Sequence, residues 1–248
     1  MTAGAAAFLP DPDAGRIYFA SRTVRTTDVT ATARLRLDGI ARYLQEAAED
    51  DVLDAGWDEA RDWLLRSCAL TLRGYPALGD RVRLRTFCSA LGPRWAERTT
   101  TLAGDHGDLI QARAVWVAVA RQTGAPAPLG AAFHRVYAAS AQGRKVSARL
   151  VHSCPDASPQ GRPWPLRASD FDPAGHVNNT IAWAAAEDAL SGLAWPPGLA
   201  EIEYHQPILP GCEPRLVTSR SPAQLEVWLM AETGLLASAR LAPAVTSG

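Results

Sequence analysis

Apolar and polar positions change period along this chain, and each change marks an element. Residues 16–25 alternate, with Ile17, Phe19 and Val24 apolar and Ser, Thr and Arg between them, which predicts a strand. From Leu35 the spacing turns helical. Leu37, Ile40, Leu44 and Ala47 fall on one face, so a helix is expected over 35–55, with Gly56 as its stop. Four strand-like segments follow at 63–72, 80–90, 95–102 and 109–120, separated by Gly- and Pro-bearing turns. Residues 122–162 hold no sustained period and read as a connection with a short helix near 131–139. At about forty residues it exceeds an ordinary loop and separates two units. The pattern then restarts: strand-like at 166–171, helical at 179–193, then strand-like at 199–207, 214–219, 224–231 and 235–241.

The restart repeats letters as well as periods. Val24-Arg25-Thr26-Thr27-Asp28 matches Leu166-Arg167-Ala168-Ser169-Asp170, and Leu44-Gln45-Glu46-Ala47 falls at the same offset as Ala186-Glu187-Asp188-Ala189. Two weaker matches follow in the same order, which makes a duplicated unit the simplest reading. Each unit has one helix and about five strands. A sheet of that size must cover its apolar face, and the helix is the available cover. Joining the two sheets edge to edge would remove strand edges that invite aggregation. The expected class is α+β, with a tail at 1–15, a first unit at 16–121, a linker at 122–162 and a second unit at 163–242.

Composition narrows the field. The chain has 248 residues, 47% hydrophobic and 21% charged, enough for a real core. A net charge of -1 and the lack of a basic run argue against a nucleic-acid surface. The four cysteines are widely spaced and form no CxxC, so no metal is expected, and without a secretion signal no disulfide framework is expected either. No run of about 18 apolar residues exists, so no membrane span is expected. The first eight residues lack the charged start and apolar core of a secretion signal, which makes a soluble, cytoplasmic protein the expectation.

The chemistry concentrates in residues 170–179. Asp172 lies four residues before His176, with Pro173-Ala174-Gly175 between them and Asn178-Asn179 leading into a helix. A carboxylate held away from bulk water can act as a base or nucleophile, with its pKa raised by burial. His176 could orient water or hold a carbonyl. Gly175 would let backbone approach a substrate, and its amide, with those at the helix start, could bind an oxyanion. Asn178 and Asn179 could cap the helix, and Asn178 could also touch a substrate. Alternation puts Glu203, His205 and Pro207 on one strand face, so His205 or Glu203 could supply a further polar contact. Cys212 reads as inert and Asp170 as structural.

With these residues in view, the chain resembles the acyl-ACP thioesterase family, a double hot-dog fold within the hot-dog thioesterase superfamily. The resemblance covers roughly 16–241. It is carried by Tyr43-Leu44-Gln45-Glu46-Ala47-Ala48, Trp63-Leu64-Leu65, Gly79-Asp80, Trp116-Val117, Asp172-x-x-Gly-His176-Val-Asn-Asn179 and Glu203-Tyr204. It implies hydrolysis of an acyl thioester by water without a cofactor, with an acyl carrier protein or CoA thioester as partner, in fatty acid biosynthesis. A pairing of two chains is compatible with it. It also implies a single site, in the second unit, because Thr30 and Arg34 stand where Asp172 and His176 stand in the repeat. The first unit then shapes the acyl pocket. Two positions depart from the family pattern: Ala174 replaces an asparagine and Pro207 a polar residue. Asp172-Pro173-Ala174-Gly175 instead resembles the branch acting on aromatic acyl-CoA. That leaves acyl-CoA hydrolysis and a non-catalytic acyl-binding module as alternatives.

Overall fold

The computed structural model describes residues 8–56, 61–155 and 161–244. The first unit runs β1 (Tyr18–Thr23), α1 (Leu37–Asp54), β2 (Arg61–Arg73), β3 (Arg81–Leu91), β4 (Trp95–Ala103) and β5 (Leu109–Ala120). A helix α2 (Ala131–Ala141) lies in the connection, where the short helix is expected. The second unit runs β6 (Arg162–Pro163), α3 (Thr180–Ala189), β7 (Pro197–Tyr204), β8 (Arg215–Arg220), β9 (Leu225–Ala231) and β10 (Gly234–Pro243).

All ten strands form one antiparallel sheet in the order β1-β3-β4-β5-β2-β7-β10-β9-β8-β6. Five strands come from each unit, and the units meet edge to edge at β2 and β7, with Ser67 opposite Glu203 and Thr71 opposite Leu199. This is the expected α+β arrangement. Pairing the two edges satisfies backbone groups that each unit alone would expose.

The helices cover one face of that sheet. Leu37, Ile40 and Ala47 of α1 are fully buried against Leu70, Val82, Leu84 and Ile110. On α3, Ala182, Ala185 and Ala186 leave room for Trp183, which is packed among Ala200, Ile202, Val227 and Leu229. These residues belong to a single cluster, so the core is continuous across the seam. A second cluster lies under α2, where Phe133 and Tyr137 meet Cys88, Ala96 and Ala118. The connection is therefore part of the fold. Beyond α2 it crosses the sheet: the Arg144 guanidinium donates to the Ser89 and Ser140 carbonyls (2.7 and 2.9 Å), and Trp95 Nε1 donates to the Val146 carbonyl (2.8 Å).

One expected element is absent. Residues 166–171 are not a strand. The chain curls into a 3-10 turn at Ala168–Asp170, because the buried Asp170 carboxylate accepts the Arg167 backbone N–H at 2.8 Å and its guanidinium at 3.0 Å. A short side chain that bonds back to its own backbone competes with a strand ladder. The first unit does the same at Asp28, whose carboxylate accepts the Arg25 N–H at 3.0 Å. The repeat is thus visible in hydrogen bonds as well as letters. The sheet-like alternation at 166–171 belongs to a duplicated turn.

Candidate active site

Residues 171–179 form a tight reversal between two anchors. Asn178 N–H donates to the Asp170 carbonyl (2.8 Å), and Val177 N–H donates to the Ile208 carbonyl (2.9 Å). Asp172 N–H donates to the His176 carbonyl (3.0 Å), which closes the loop that carries both side chains. Asp172 Oδ1 accepts the Ala174 N–H at 2.9 Å, while Oδ2 lies 3.5 Å from His176 Nδ1. One carboxylate oxygen is therefore fixed by the turn and the other faces the imidazole. Side-chain exposure is 19% for Asp172 and 26% for His176, so water reaches both groups.

Gly175 has φ +81°, a left-handed conformation that a Cβ would strain, although a Cβ there would meet nothing within 4 Å. Its N–H donates to the Asp172 carbonyl at 3.0 Å. The glycine is thus needed for the turn, and the turn consumes its amide. Asn178 Oδ1 accepts the Thr180 N–H (3.0 Å) and hydroxyl (2.8 Å), fixing the start of α3. Asn179 makes no side-chain cap, and its carbonyl accepts the Tyr204 hydroxyl at 2.9 Å. Among the described residues, no acceptor is bonded to the Asn179 N–H, which stands at the positive end of α3.

Two cavities meet here. The larger, about 740 Å³, reaches from Asp172, His176 and Asn179 between α1 and the first unit's sheet. Trp63, Trp116, Val119, Phe133 and Val52 give it an apolar wall, and Gln45 and Glu49 of α1 border it near the turn. Toward its other end lies Arg98, which pairs with the buried Asp51 at 2.8 Å and stacks on Tyr137 at 5.6 Å. Burial pushes the Tyr137 phenol up to about 12, so it stays neutral. The smaller cavity, about 580 Å³, shares Trp63, Val119, His176 and Asn179 with the larger and extends past Asn178, Tyr204, His205, Pro207, Arg66 and Arg94.

The remaining sequence candidates separate. His205 lines the smaller cavity and its Nε2 lies 3.0 Å from Ser238 Oγ. Burial lowers its pKa below the ordinary histidine value, partly opposed by Glu203 at 3.7 Å. Glu203 lines neither cavity. Its buried carboxylate accepts the Val151 N–H at 2.7 Å and the His152 N–H at 3.0 Å, holding the crossing segment to β7. Cys212 lines neither cavity, and burial raises its thiol pKa. The sequence reading gave Gln45, Arg98 and Tyr137 no place at the site and gave little weight to Asn179. A stripe at Gln45, Ala48 and Val52 has helical spacing, but the turn it faces lies far along the chain.

Two units of helix and antiparallel strands, joined edge to edge in one ten-stranded sheet, form a double hot-dog fold. Residues 15–134 match the family described as the acyl-ACP thioesterase N-terminal domain. The first half of the chain thus carries an acyl-ACP thioesterase domain, and the chain is a thioester hydrolase. It shares its fold with an acyl-ACP thioesterase from Bacteroides thetaiotaomicron, at a TM-score of 0.77 and 17% identity over 91% of this chain and 97% of that one. A 12:0-ACP thioesterase from Umbellularia californica aligns with a TM-score of 0.75 and 14% identity over 91% and 96%. Uncharacterised proteins from two strains of Mycobacterium tuberculosis are 29% identical over 83% of both chains.

Proposed function

We propose that this hydrolase cleaves a fatty acyl group from acyl carrier protein, releasing the free acid and the carrier thiol, as part of cytoplasmic lipid metabolism. The observation that carries the proposal is the meeting of two cavities at His176 and Asn179. A thioester needs room on both sides of its carbonyl. Both cavities are mainly apolar; the larger one, walled by Trp116 and Phe133 under α1, suits the acyl group, and its volume falls in the range of small-molecule sites. The smaller one suits the pantetheine arm, with Arg66 and Arg94 available to the arm's phosphate.

In this reading Asp172 takes a proton from water as that water attacks the thioester carbon. The oxyanion forms at the Asn179 N–H, where the helix end favours negative charge. His176 holds the Asp172 carboxylate in place and faces the same cavity. The C–S bond then breaks and the thiolate leaves, a good leaving group that needs little acid assistance. Ala174 and Pro207 leave Asp172 as the main base. His205 borders the arm's channel, and Glu203 acts through the segment it holds.

A second reading is favoured by the far end of the larger cavity. Gln45 and Asp51 are separated by about 9 Å along α1, at about 1.5 Å per residue. Beyond that distance the lining includes Glu97 and Arg98, the latter paired with Asp51, beside the apolar Phe133 and Tyr137. A long alkyl end there would face charged groups, so a compact or aromatic acyl group, carried on CoA, fits that end better.

One experiment separates these readings: hydrolysis of acyl-ACP and acyl-CoA thioesters, over alkyl lengths and aromatic acyl groups, by wild type and Asp172→Asn. Turnover with the ACP series, reduced about 10²–10⁴-fold in the variant, is the expected result. A preference for compact acyl-CoA selects the second reading. Acyl binding with no turnover above the variant would leave a binding module and sink the enzymatic role of Asp172.

A further inference from the structure

The two units repeat the same turn, yet only one copy is open. In the first unit Thr30 N–H donates to the Arg34 carbonyl (2.8 Å), and Arg36 N–H donates to the Asp28 carbonyl (2.9 Å). These match the bonds of Asp172 with His176 and of Asn178 with Asp170 in the second. Leu37 N–H, at the start of α1, stands where Asn179 N–H stands at the start of α3. The partner from the opposite helix differs. Glu187 of α3 accepts the Leu37 N–H at 2.9 Å with one oxygen and pairs with Arg34 through the other. Its carboxylate therefore plugs the first unit's turn. By the repeat, Glu187 corresponds to Gln45 of α1. Gln45 borders the large cavity with Asp172, His176 and Asn179, and its side chain donates to Glu49 at 3.1 Å rather than bonding the Asn179 N–H.

We propose that Gln45, supplied by the first unit, is a positioning residue of the second unit's active site: being neutral, it leaves the amide at the start of α3 open to the thioester oxygen. A carboxylate at position 45 would be drawn to that amide and to His176, as Glu187 is drawn to Leu37 and Arg34. It would compete with the oxyanion for the same donor and repel the carboxylate product. The first unit then does more than wall the acyl pocket, because the identity of one of its helix residues decides which of two similar turns can bind substrate. This inference rests on the thioesterase reading above.

The test compares wild type, Gln45→Glu and Gln45→Ala on the best substrate of the thioester panel, with inhibition by the acid that substrate releases. Gln45→Glu should lose at least about 10-fold in kcat, the scale of one weakened oxyanion contact. It should lose more than Gln45→Ala, bind the released acid more weakly, and melt no lower than wild type because the helix start gains a cap. Wild-type turnover retained by Gln45→Glu overturns the proposal, as does an equal loss in both variants. An inactive wild type overturns the thioesterase reading itself, and this is seen before either variant is measured.

Discussion

At the scale of single residues, the site depends on which polar atoms are already occupied. Asp172 has one oxygen committed to the Ala174 amide and one facing His176, so the direction of its second oxygen is set by backbone rather than by burial. Gly175 illustrates the same point: its amide closes the turn, whereas the Asn179 amide at the start of α3 has no acceptor among the described residues. His205 leads to a pH prediction. Burial holds its pKa below the unfolded value of about 6.5. The unfolded chain then binds the proton more readily, so stability is full above about pH 6.5 and declines as pH falls through the lower, folded value. Thermal melts at pH 7.5 and 5.5 should show a larger loss for wild type than for His205→Gln. Equal losses would mean that His205 is not what couples the fold to acid.

Among elements, the segment after α2 behaves as a strap. It leaves the first unit's sheet at Val146 and reaches the second unit where Glu203 accepts two consecutive amides. Trp228 Nε1 then donates to the Ser153 carbonyl at 2.9 Å. Removing the Glu203 carboxylate leaves two partly buried amides without an acceptor, which costs about 1–3 kcal/mol. Glu203→Ala should therefore lower the melting temperature while keeping measurable turnover. Abolished turnover in a variant with an unchanged melt would instead give Glu203 a direct part in the chemistry. Helix α3 shows a different economy. Its alanine face permits the close packing that brings Asn179 within reach of the Tyr204 hydroxyl, so helix composition sets the position of the site.

For the whole molecule, the seam between β2 and β7 makes the two units interdependent. Ile202 is 1% exposed and lies between Cys68 of β2 and Ala239 of β10. Ile202→Ala should cost about 2–5 kcal/mol, as large-to-small changes in closed cores do. Because one apolar cluster spans the seam, unfolding in urea should remain a single transition in wild type and variant. Two resolved transitions would show that each unit holds its own core. The same seam places α1 of the first unit beside the turn of the second, so one cavity is lined by residues of both units.

Much of this was legible in the order of the residues, for identifiable reasons. The duplication could be read because each copy must bury one helix against one sheet, and that need leaves the same periods and turn letters twice. Asp172 and His176 could be read because they share one short loop whose backbone fixes them locally. Strand alternation at 166–171 misled, because a local side-chain bond from Asp170 outweighs it, and periodicity does not record such bonds. The roles of Gln45, Arg98 and Tyr137 depend on contacts between helices, sheet and connection that lie far apart in the chain. Sequence alone set the two-unit fold and the acid–imidazole pair, through local periodicity and local geometry. Only the packed structure decided that one turn is plugged and the other open, because that choice lies in how opposite helices meet across the seam.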